Sequence, residues 1–210
     1  MYCHSESYMQ DELWLFYVSY RIRKEKLFMR RTIKSMSKQY EQQTLEFVEK
    51  VFTEYADQTE GKLVRSLVAE IRSKHYYLPD LELIMTDEND EVIGYVMFSR
   101  FHLEGKYENE LLLLSPAAVK TSLQRQHISK ELIEYGFTKA KELGFQAVLV
   151  EGNPANYQAR GFRTAADYNI FPGKSVHLPA IECLMVAELS ENALEHIHGY
   201  VEYDCYKTLT

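Results

Sequence analysis

The sequence predicts a mixed α/β or α+β protein in which helices pack on both faces of one twisted sheet. Three observations lead to this prediction: two amphipathic helical segments near the start, a β-hairpin around residues 87–90, and a strand–helix–strand unit over residues 110–150. Such a unit places its two strands side by side and parallel, with the helix across one face of the sheet. We therefore expect a single layered domain with about six or seven strands.

Length and composition are those of an ordinary globular protein, with 210 residues, 46% hydrophobic and 26% charged. The net charge of −7 argues against nucleic acid as the main partner, because phosphate backbones require a basic surface. No run reaches the roughly 18 apolar residues of a membrane-spanning helix. The widely spaced Cys3, Cys183 and Cys205 form neither a disulfide framework nor a metal-ligand spacing. We expect a cytoplasmic protein that binds neither membrane nor metal.

The first 28 residues differ in character from the rest of the chain. They contain the only tryptophan, Trp14, and a basic cluster at residues 21–26, and Met29 would serve equally well as a start. We therefore treat residues 1–28 as an N-terminal extension of uncertain order. The domain itself is predicted to span residues 29–210.

The first half of the domain predicts a strand over residues 30–35 followed by two helices. The first helix begins at Ser37, and Gly61 is expected to separate it from the second. The apolar stripe of the first helix consists of Leu45, Val48, Phe52 and Tyr55. The apolar stripe of the second consists of Leu63, Val64, Leu67, Val68 and Ile71. Both stripes have helical spacing and are predicted to pack in the core.

Strand patterns follow the two helices. Residues 81–86 and 92–101 are rich in β-branched, aromatic and aliphatic side chains, and the turn residues between them predict a hairpin. A polar connection is expected over residues 102–109, and then an almost wholly apolar strand over residues 110–119. Pro116 lies inside that strand and cannot donate to a ladder, so we expect a bulge that splays the strand from its neighbour.

The clearest helix is predicted over residues 129–143, with Gly144 as its C-terminal stop. Its apolar face consists of Leu132, Ile133, Gly136, Phe137, Ala140 and Leu143. A short buried strand over residues 147–150 completes the parallel unit. Further strands are expected at residues 181–189 and 200–203, with a short helix over residues 191–198 between them.

Two motifs flank this parallel unit. In the turn before the helix, Gln124, His127 and Ser129 occupy the Q, first G and final G/A positions of the pattern Q/R-x-x-G-x-G/A. After the short strand, Asn153 is followed by Tyr157, which stands four residues before Gly161-Phe162. Together with the strand that Pro116 interrupts, these motifs resemble the acyl-coenzyme A site of the GNAT-type N-acetyltransferase superfamily. They look most like a bacterial subgroup of predicted small-molecule acetyltransferases.

The resemblance implies acetyl-coenzyme A (acetyl-CoA) as the acyl donor. It implies that backbone groups near Ala118 and Val119 bind the pantetheine arm as a pseudo-strand, and that the N–H groups of residues 125–130 hold the diphosphate at the helix N-terminus. His127 stands where the family has a glycine. A glycine lets the backbone approach the phosphate closely and adopt a positive φ. The implied cofactor-binding residues are Ala118, Val119, Gln124, Arg125, Gln126, His127, Ile128, Ser129, Lys130 and Asn153.

The resemblance also implies that Tyr157 protonates the departing thiolate as a general acid. Glu110 is the best-placed candidate for a general base acting through water, Glu151 is a poorer candidate, and an amine can also lose its proton to solvent. The implied reaction is transfer of the acetyl group to a primary amine of a small molecule or peptide, by direct attack.

Two other function classes remain open at this point. A non-catalytic acyl-CoA-binding or regulatory module is favoured by His127 at the glycine position. A structural or interaction protein that has kept the fold and lost the coenzyme is the third class. The sequence does not fix the oligomeric state, a homodimer included.

Overall fold

The computed structural model describes residues 30–209, so the extension predicted for residues 1–28 lies outside the described residues. The strands are β1 (Thr32–Ser35), β2 (Glu82–Thr86), β3 (Val92–Leu103), β4 (Lys106–Val119), β5 (Ala147–Glu151), β6 (Arg163–Thr164), β7 (Ile170–Pro172), β8 (Leu184–Glu188) and β9 (Gly199–Val201). The helices are α1 (Glu41–Tyr55), α2 (Gln58–Arg72), α3 (Ile128–Glu142) and the single-turn α4 (Pro154–Tyr157).

Seven strands form one mixed sheet in the order β1-β2-β3-β4-β5-β8-β6, and β7 pairs with β9 in a second, two-stranded sheet. The strands from β1 to β4 are antiparallel neighbours, β4 and β5 are parallel, and β8 runs antiparallel to both β5 and β6. The predicted parallel unit and the predicted strand number are therefore confirmed.

Helices cover both faces of the large sheet, as the sequence predicts. Successive side chains of a strand point to opposite faces, and β3 shows the consequence. Tyr95 and Met97 pack in one hydrophobic cluster with α1 and α2, whereas Val96 and Phe98 pack in the other with Leu132 of α3. Two apolar layers thus sandwich the sheet.

The boundary between α1 and α2 differs from the sequence expectation. Gly61 lies inside α2, and the break falls at Asp57, whose carboxylate caps α2 by accepting the N–H groups of Thr59 and Glu60 at 2.7 and 3.0 Å. An Asp at the N-cap satisfies donors that the helix itself leaves free. A Cβ at position 61 would overlap Thr53 Oγ1 on α1, so the glycine lets the two helices approach closely.

Three residues of the predicted apolar helix faces lie outside the core. Tyr55, the last residue of α1, is 82% exposed, and Leu63 in the second turn of α2 is 37% exposed. Val48 of the predicted stripe is buried as expected, and Thr44 and Val51, which were not predicted, are buried with it. On α3, Leu143 is 50% exposed and lies just past the last helical residue.

The polar stretch at residues 102–109 is not a loop, which corrects the sequence expectation. β3 continues to Leu103 and β4 begins at Lys106, so only Glu104 and Gly105 form the turn, both with positive φ (52° and 79°). The polar side chains that suggested a loop belong to the outer end of a long hairpin. The residues over 191–198 also differ from the expected helix, with a 3-10 turn at Ala193–Glu195 only.

The predicted irregularity at Pro116 is present in β4. Val96 pairs with Ala117 and Phe98 with Leu114, so Ser115 and Pro116 both lie opposite Met97 in a bulge. The peptide bond between Ser115 and Pro116 is cis. Within residues 30–209, no helix is long and apolar enough to cross a membrane, and no cluster of side chains suited to hold a metal is found.

Candidate active site

A gap separates the outer parts of the parallel strands β4 and β5. The two strands pair only from Leu111 to Leu113 on β4, opposite Ala147 to Leu149 on β5. Beyond that point, Ala118 and Val119 pair with β3, whereas the end of β5 pairs with β8. The bulge in β4 therefore leaves two facing strand edges without mutual hydrogen bonds, and such edges can accept an extended ligand as an additional strand.

The turn from β4 into α3 presents a row of unpaired amides. Lys120 N–H bonds to Ile93, a 3-10 turn follows at Thr121–Leu123, and α3 begins at Ile128. Among the described residues, the N–H groups of residues 125–130 have no hydrogen-bond acceptor. Free N–H groups and the positive end of the helix dipole together favour an anion at this position.

His127 keeps the backbone conformation that a glycine would supply. Its φ of 63° and ψ of 8° are left-handed, and Arg125 also has a positive φ of 62°. Histidine is among the residue types that adopt this region more often than most. The side chain of His127 is exposed, and it makes no capping hydrogen bond. His127 thus adopts a left-handed backbone conformation, which glycine reaches most easily.

Two arginines that the sequence analysis did not single out contact this turn. Arg31 donates to the backbone oxygen of Gln126 at 3.0 Å and to its Oε1 at 2.6 Å. Arg160 Nη2 donates to Ser129 Oγ at 2.7 Å. Arg31 lies 95 residues from Gln126 in sequence, so no local pattern could reveal it. Arg160 lies in the segment from Tyr157 to Phe162, so its positive charge beside the predicted general acid could have marked it as a candidate in the sequence.

Tyr157, the predicted general acid, ends α4 next to this turn. Its ring meets Phe162 edge to face at 5.5 Å between centroids, and its Cε2 would lie 2.5 Å from a Cβ at Gly152. Burial raises the pKa of the Tyr157 hydroxyl above its ordinary value, and the nearby Arg160 partly offsets the rise. The hydroxyl has no hydrogen-bond partner among residues 30–209. The phenol is therefore protonated at neutral pH and free to donate.

Asn153, predicted as a cofactor-binding residue, caps α4. Its side-chain oxygen accepts the N–H of Ala155 at 3.0 Å, and Pro154 occupies the first helical position, where its missing N–H costs nothing. The side-chain oxygen of Asn153 is thus engaged in holding the short helix that carries Tyr157.

Glu110, the candidate general base from the sequence, lies at the end of the β4–β5 pair that is away from the bulge at Pro116. Glu110 immediately precedes the first β4–β5 pair and stands six residues before Pro116, a separation of about 20 Å along an extended strand. Its carboxylate contacts Gln146 Nε2 at 3.0 Å and His196 Nε2 at 2.8 Å.

Glu151, the poorer candidate from sequence, lies at the opposite end of β5 from this contact. It lies two residues after Leu149, the last residue that pairs with β4, and its side chain is exposed. Its Oε2 accepts the hydroxyl of Tyr203 at 3.0 Å. Of the two carboxylates, Glu151 is the one that shares the Tyr157 end of β5.

A parallel pair that opens beside an amide-lined helix N-terminus defines an acyltransferase-type architecture, and comparison with known proteins agrees. The model of the Acetyltransferase (GNAT) family matches residues 42–165. The chain therefore belongs to this family of N-acetyltransferases, which confirms the resemblance, the fold class and the enzyme class predicted from sequence.

Individual relatives support the same assignment. The chain is 32% identical over 126 residues to the uncharacterized N-acetyltransferase YhbS of Escherichia coli K12, a match that covers 59% of this chain and 71% of YhbS. The crystal structure of E. coli YhbS in complex with CoA superposes with a TM-score of 0.72 at 26% identity, covering 84% of this chain and 91% of that one.

A more distant structure shows the shared fold alone. A GNAT family acetyltransferase from Brucella melitensis, solved in complex with acetyl-CoA, superposes with a TM-score of 0.63 at 19% identity. The superposition covers 87% of this chain and 100% of that chain.

Proposed function

We propose that this protein binds acetyl-CoA and transfers its acetyl group to a primary amine of a small-molecule or peptide acceptor. The observation that carries the proposal is the gap between β4 and β5, which leads directly to the unpaired amides of residues 125–130. The extended thioester arm of acetyl-CoA matches the gap in shape, and the diphosphate at its other end matches the unpaired amides in charge. The complex of E. coli YhbS with CoA supports the same ligand class.

In the proposed complex, the pantetheine arm lies along the free edge of β4 and bonds to backbone groups near Ala118 and Val119. The diphosphate lies over the turn that runs from Gln124 to Lys130. Backbone N–H groups hold both parts of the ligand. Binding therefore depends on the backbone conformation of the turn rather than on the side chain at position 127. An N–H of the β4 edge polarises the thioester carbonyl, as oxyanion donors do in acyl transfer.

The proposed chemistry is a direct attack without a covalent enzyme intermediate. The amine nitrogen attacks the thioester carbonyl carbon, a C–N bond forms and the C–S bond breaks. Tyr157 donates its proton to the departing CoA thiolate. The proton lost by the amine passes to solvent or to Glu151, the carboxylate at this end of β5, and the Tyr157 phenolate takes up a proton from solvent to restore the enzyme. Glu110 has no place in this proposal because it lies at the far end of the β4–β5 pair.

The alternative function is a non-catalytic acyl-CoA-binding or regulatory module with the same fold. The feature that favoured it was His127 in place of glycine. The left-handed backbone of His127 and the exposure of its side chain weaken that argument. The unengaged hydroxyl of Tyr157 favours the enzyme.

The proposal is tested by calorimetric titration of the full chain with acetyl-CoA, followed by an assay of CoA thiol release with a panel of amines. The panel contains polyamines, amino acids, aminoglycosides and peptides with free N-termini. We expect saturable binding and thiol release that depends on at least one amine. Binding without any amine-dependent release favours the non-catalytic module, and a chain that does not bind acetyl-CoA contradicts both functions.

A further inference from the structure

Arg160 lies where α4 and the N-terminus of α3 meet. It ends the 3-10 turn Gln158–Arg160 and precedes Gly161, whose positive φ of 87° turns the chain back toward the sheet. Its Nη2 donates to Ser129 Oγ in the first turn of α3, and its Cζ lies 5.7 Å from the centroid of the Tyr157 ring. The side chain thus spans from the proposed general acid to the proposed diphosphate position.

The hydrogen-bonding capacity of Arg160 is largely unused. A guanidinium carries five N–H donors and no acceptor. Within residues 30–209, no carboxylate forms an ion pair with Arg160, and its buried Nε has no hydrogen-bond partner. A buried donor without an acceptor is costly, and a cation without a counter-ion is more so. Such a group in a native protein calls for an explanation, and a bound anion is one of the few available.

The surroundings specify what kind of anion would satisfy Arg160. The amides of residues 125–130 are unpaired at the same helix N-terminus, and the Ser129 hydroxyl connects them to the guanidinium. Backbone N–H groups beside a planar arginine fork form a typical phosphate site. We propose that the guanidinium of Arg160 binds a phosphate of the acetyl-CoA diphosphate, together with the amides of residues 125–130.

This inference rests on the proposed function and adds a residue to it. Arg160 follows Tyr157 by three residues in one short segment. The same turn therefore holds the diphosphate and the hydroxyl that faces the thioester, which fixes the two ends of the ligand relative to each other. A side-chain donor also adds to the backbone amides at a turn where the family's first glycine is replaced by His127.

The test compares two ligands and three variants of the full chain. Acetyl-CoA is titrated by calorimetry, and S-acetylpantetheine, which lacks the diphosphate and the nucleotide, is titrated by NMR so that millimolar binding is measured. R160Q removes the charge and the fork, and R160K keeps the charge alone. R163Q is the matched control, because Arg163 is exposed, lies three residues further on and donates to the Tyr168 hydroxyl.

We expect R160Q to weaken acetyl-CoA binding by about 10-fold to 100-fold, as for a lost charge-assisted bond, and to leave S-acetylpantetheine binding unchanged. R160K is expected to lose less than R160Q, and R163Q to bind both ligands as the wild type does. If R160Q does not fold, R160K still tests the inference: its affinity for acetyl-CoA should fall while its affinity for S-acetylpantetheine stays that of the wild type.

Two results would overturn the inference. One is an R160Q or R160K variant that binds acetyl-CoA as tightly as the wild type. The other is an equal loss for both ligands, which would assign Arg160 to the shape of the Tyr157 segment. A wild-type protein that binds neither ligand would instead refute the proposed function itself.

Discussion

Arg72 and Arg160 are both partly buried, but their surroundings differ. Arg72 on α2 pairs with the fully buried Glu82 on β2, with Nη2 2.5 Å from Oε1, and also donates to Thr44 Oγ1 at 2.7 Å. Arg160 touches a serine hydroxyl and an aromatic ring, and it pairs with no acid within residues 30–209.

The tyrosines of the two regions show the same contrast. The hydroxyls of Tyr77 and Tyr95 both donate to Glu82, at 2.5 and 2.6 Å. Burial and the neighbouring carboxylate raise the pKa of each of these hydroxyls. The Tyr157 hydroxyl has no partner among the described residues. A satisfied buried network stabilises the fold, whereas a donor without a protein acceptor beside a surface gap is available to a ligand.

The sharpest test of this contrast is the removal of one hydroxyl from each region. Tyr157→Phe is expected to lower the turnover number about 10²-fold to 10⁴-fold, the usual worth of general acid catalysis. It should leave acetyl-CoA affinity and the unfolding free energy nearly unchanged, since no hydrogen bond within the described protein is lost. Turnover at saturating substrate, with an acceptor found in the amine panel, measures the effect.

Tyr95→Phe is the matched control for Tyr157→Phe. It leaves buried Glu82 with one donor fewer, so we expect a loss of about 1–3 kcal/mol in unfolding free energy and unchanged turnover per folded molecule. Unchanged turnover in Tyr157→Phe, with the chemical step shown to be rate-limiting, would return Tyr157 to a packing role.

The second prediction removes the acid of the satisfied network. Glu82→Ala leaves Arg72 as a buried cation without its counter-ion, and such a change costs about 3–5 kcal/mol of unfolding free energy. Urea denaturation measures it. The control is Glu49→Ala, which breaks a partly exposed pair with Arg65 (2.8 Å) and should cost no more than about 1 kcal/mol. Equal losses in the two variants would contradict the special role given to the Glu82 network.

The two regions also differ in what the sequence could predict. Apolar patterning and turn residues predicted the β2–β3 hairpin, the parallel β4–β5 unit and the helices on both faces, because alternation and helical spacing are local signals. Tyr157 was singled out by the family resemblance, through its spacing to Gly161-Phe162, and its catalytic role stays a prediction. Gly61 was misread as a break because glycine serves close helix contact as well as termination, and only Asp57 carried the capping signal.

Contacts between distant residues could not be read in this way. Nothing local indicates that Arg31 reaches Gln126, that Arg72 meets Glu82, or that Tyr203 meets Glu151. The register of the parallel pair is a contact of the same kind: the sequence predicts that β4 and β5 pair but not at which residues the pairing begins and ends. The site depends on three-dimensional juxtaposition, whereas the elements that carry it depend on local pattern.

The third prediction adds an acid at the unsatisfied helix end. Ser129→Glu places a negative charge in the first turn of α3, where the helix dipole and Arg160 both favour it. We expect the unfolding free energy to stay level or to rise by up to about 1 kcal/mol, while acetyl-CoA affinity falls at least about 10-fold through charge repulsion and lost space. Thermal unfolding and calorimetry measure the two effects.

Ser129→Ala is the control for this charge, because it removes the hydroxyl without adding bulk. It should bind acetyl-CoA within a few-fold of the wild type. A Ser129→Glu variant that binds acetyl-CoA as tightly as the wild type would place the ligand elsewhere.

The smallest expected effect concerns His127, the residue that departs from the family pattern. Its backbone is already left-handed, so His127→Gly removes the Cβ strain of that conformation but also adds freedom to the unfolded chain. These contributions oppose each other, and we expect a stability change within about 1 kcal/mol and an acetyl-CoA affinity within about threefold of the wild type. Asn169→Gly, at a φ of 59° and outside the turn, controls for the backbone contribution.

An affinity gain above about 10-fold in His127→Gly would show that the imidazole obstructs the ligand, and a loss of that size would show that it donates to a phosphate. Either result would mean that the side chain at position 127, and not only its backbone, shapes the site.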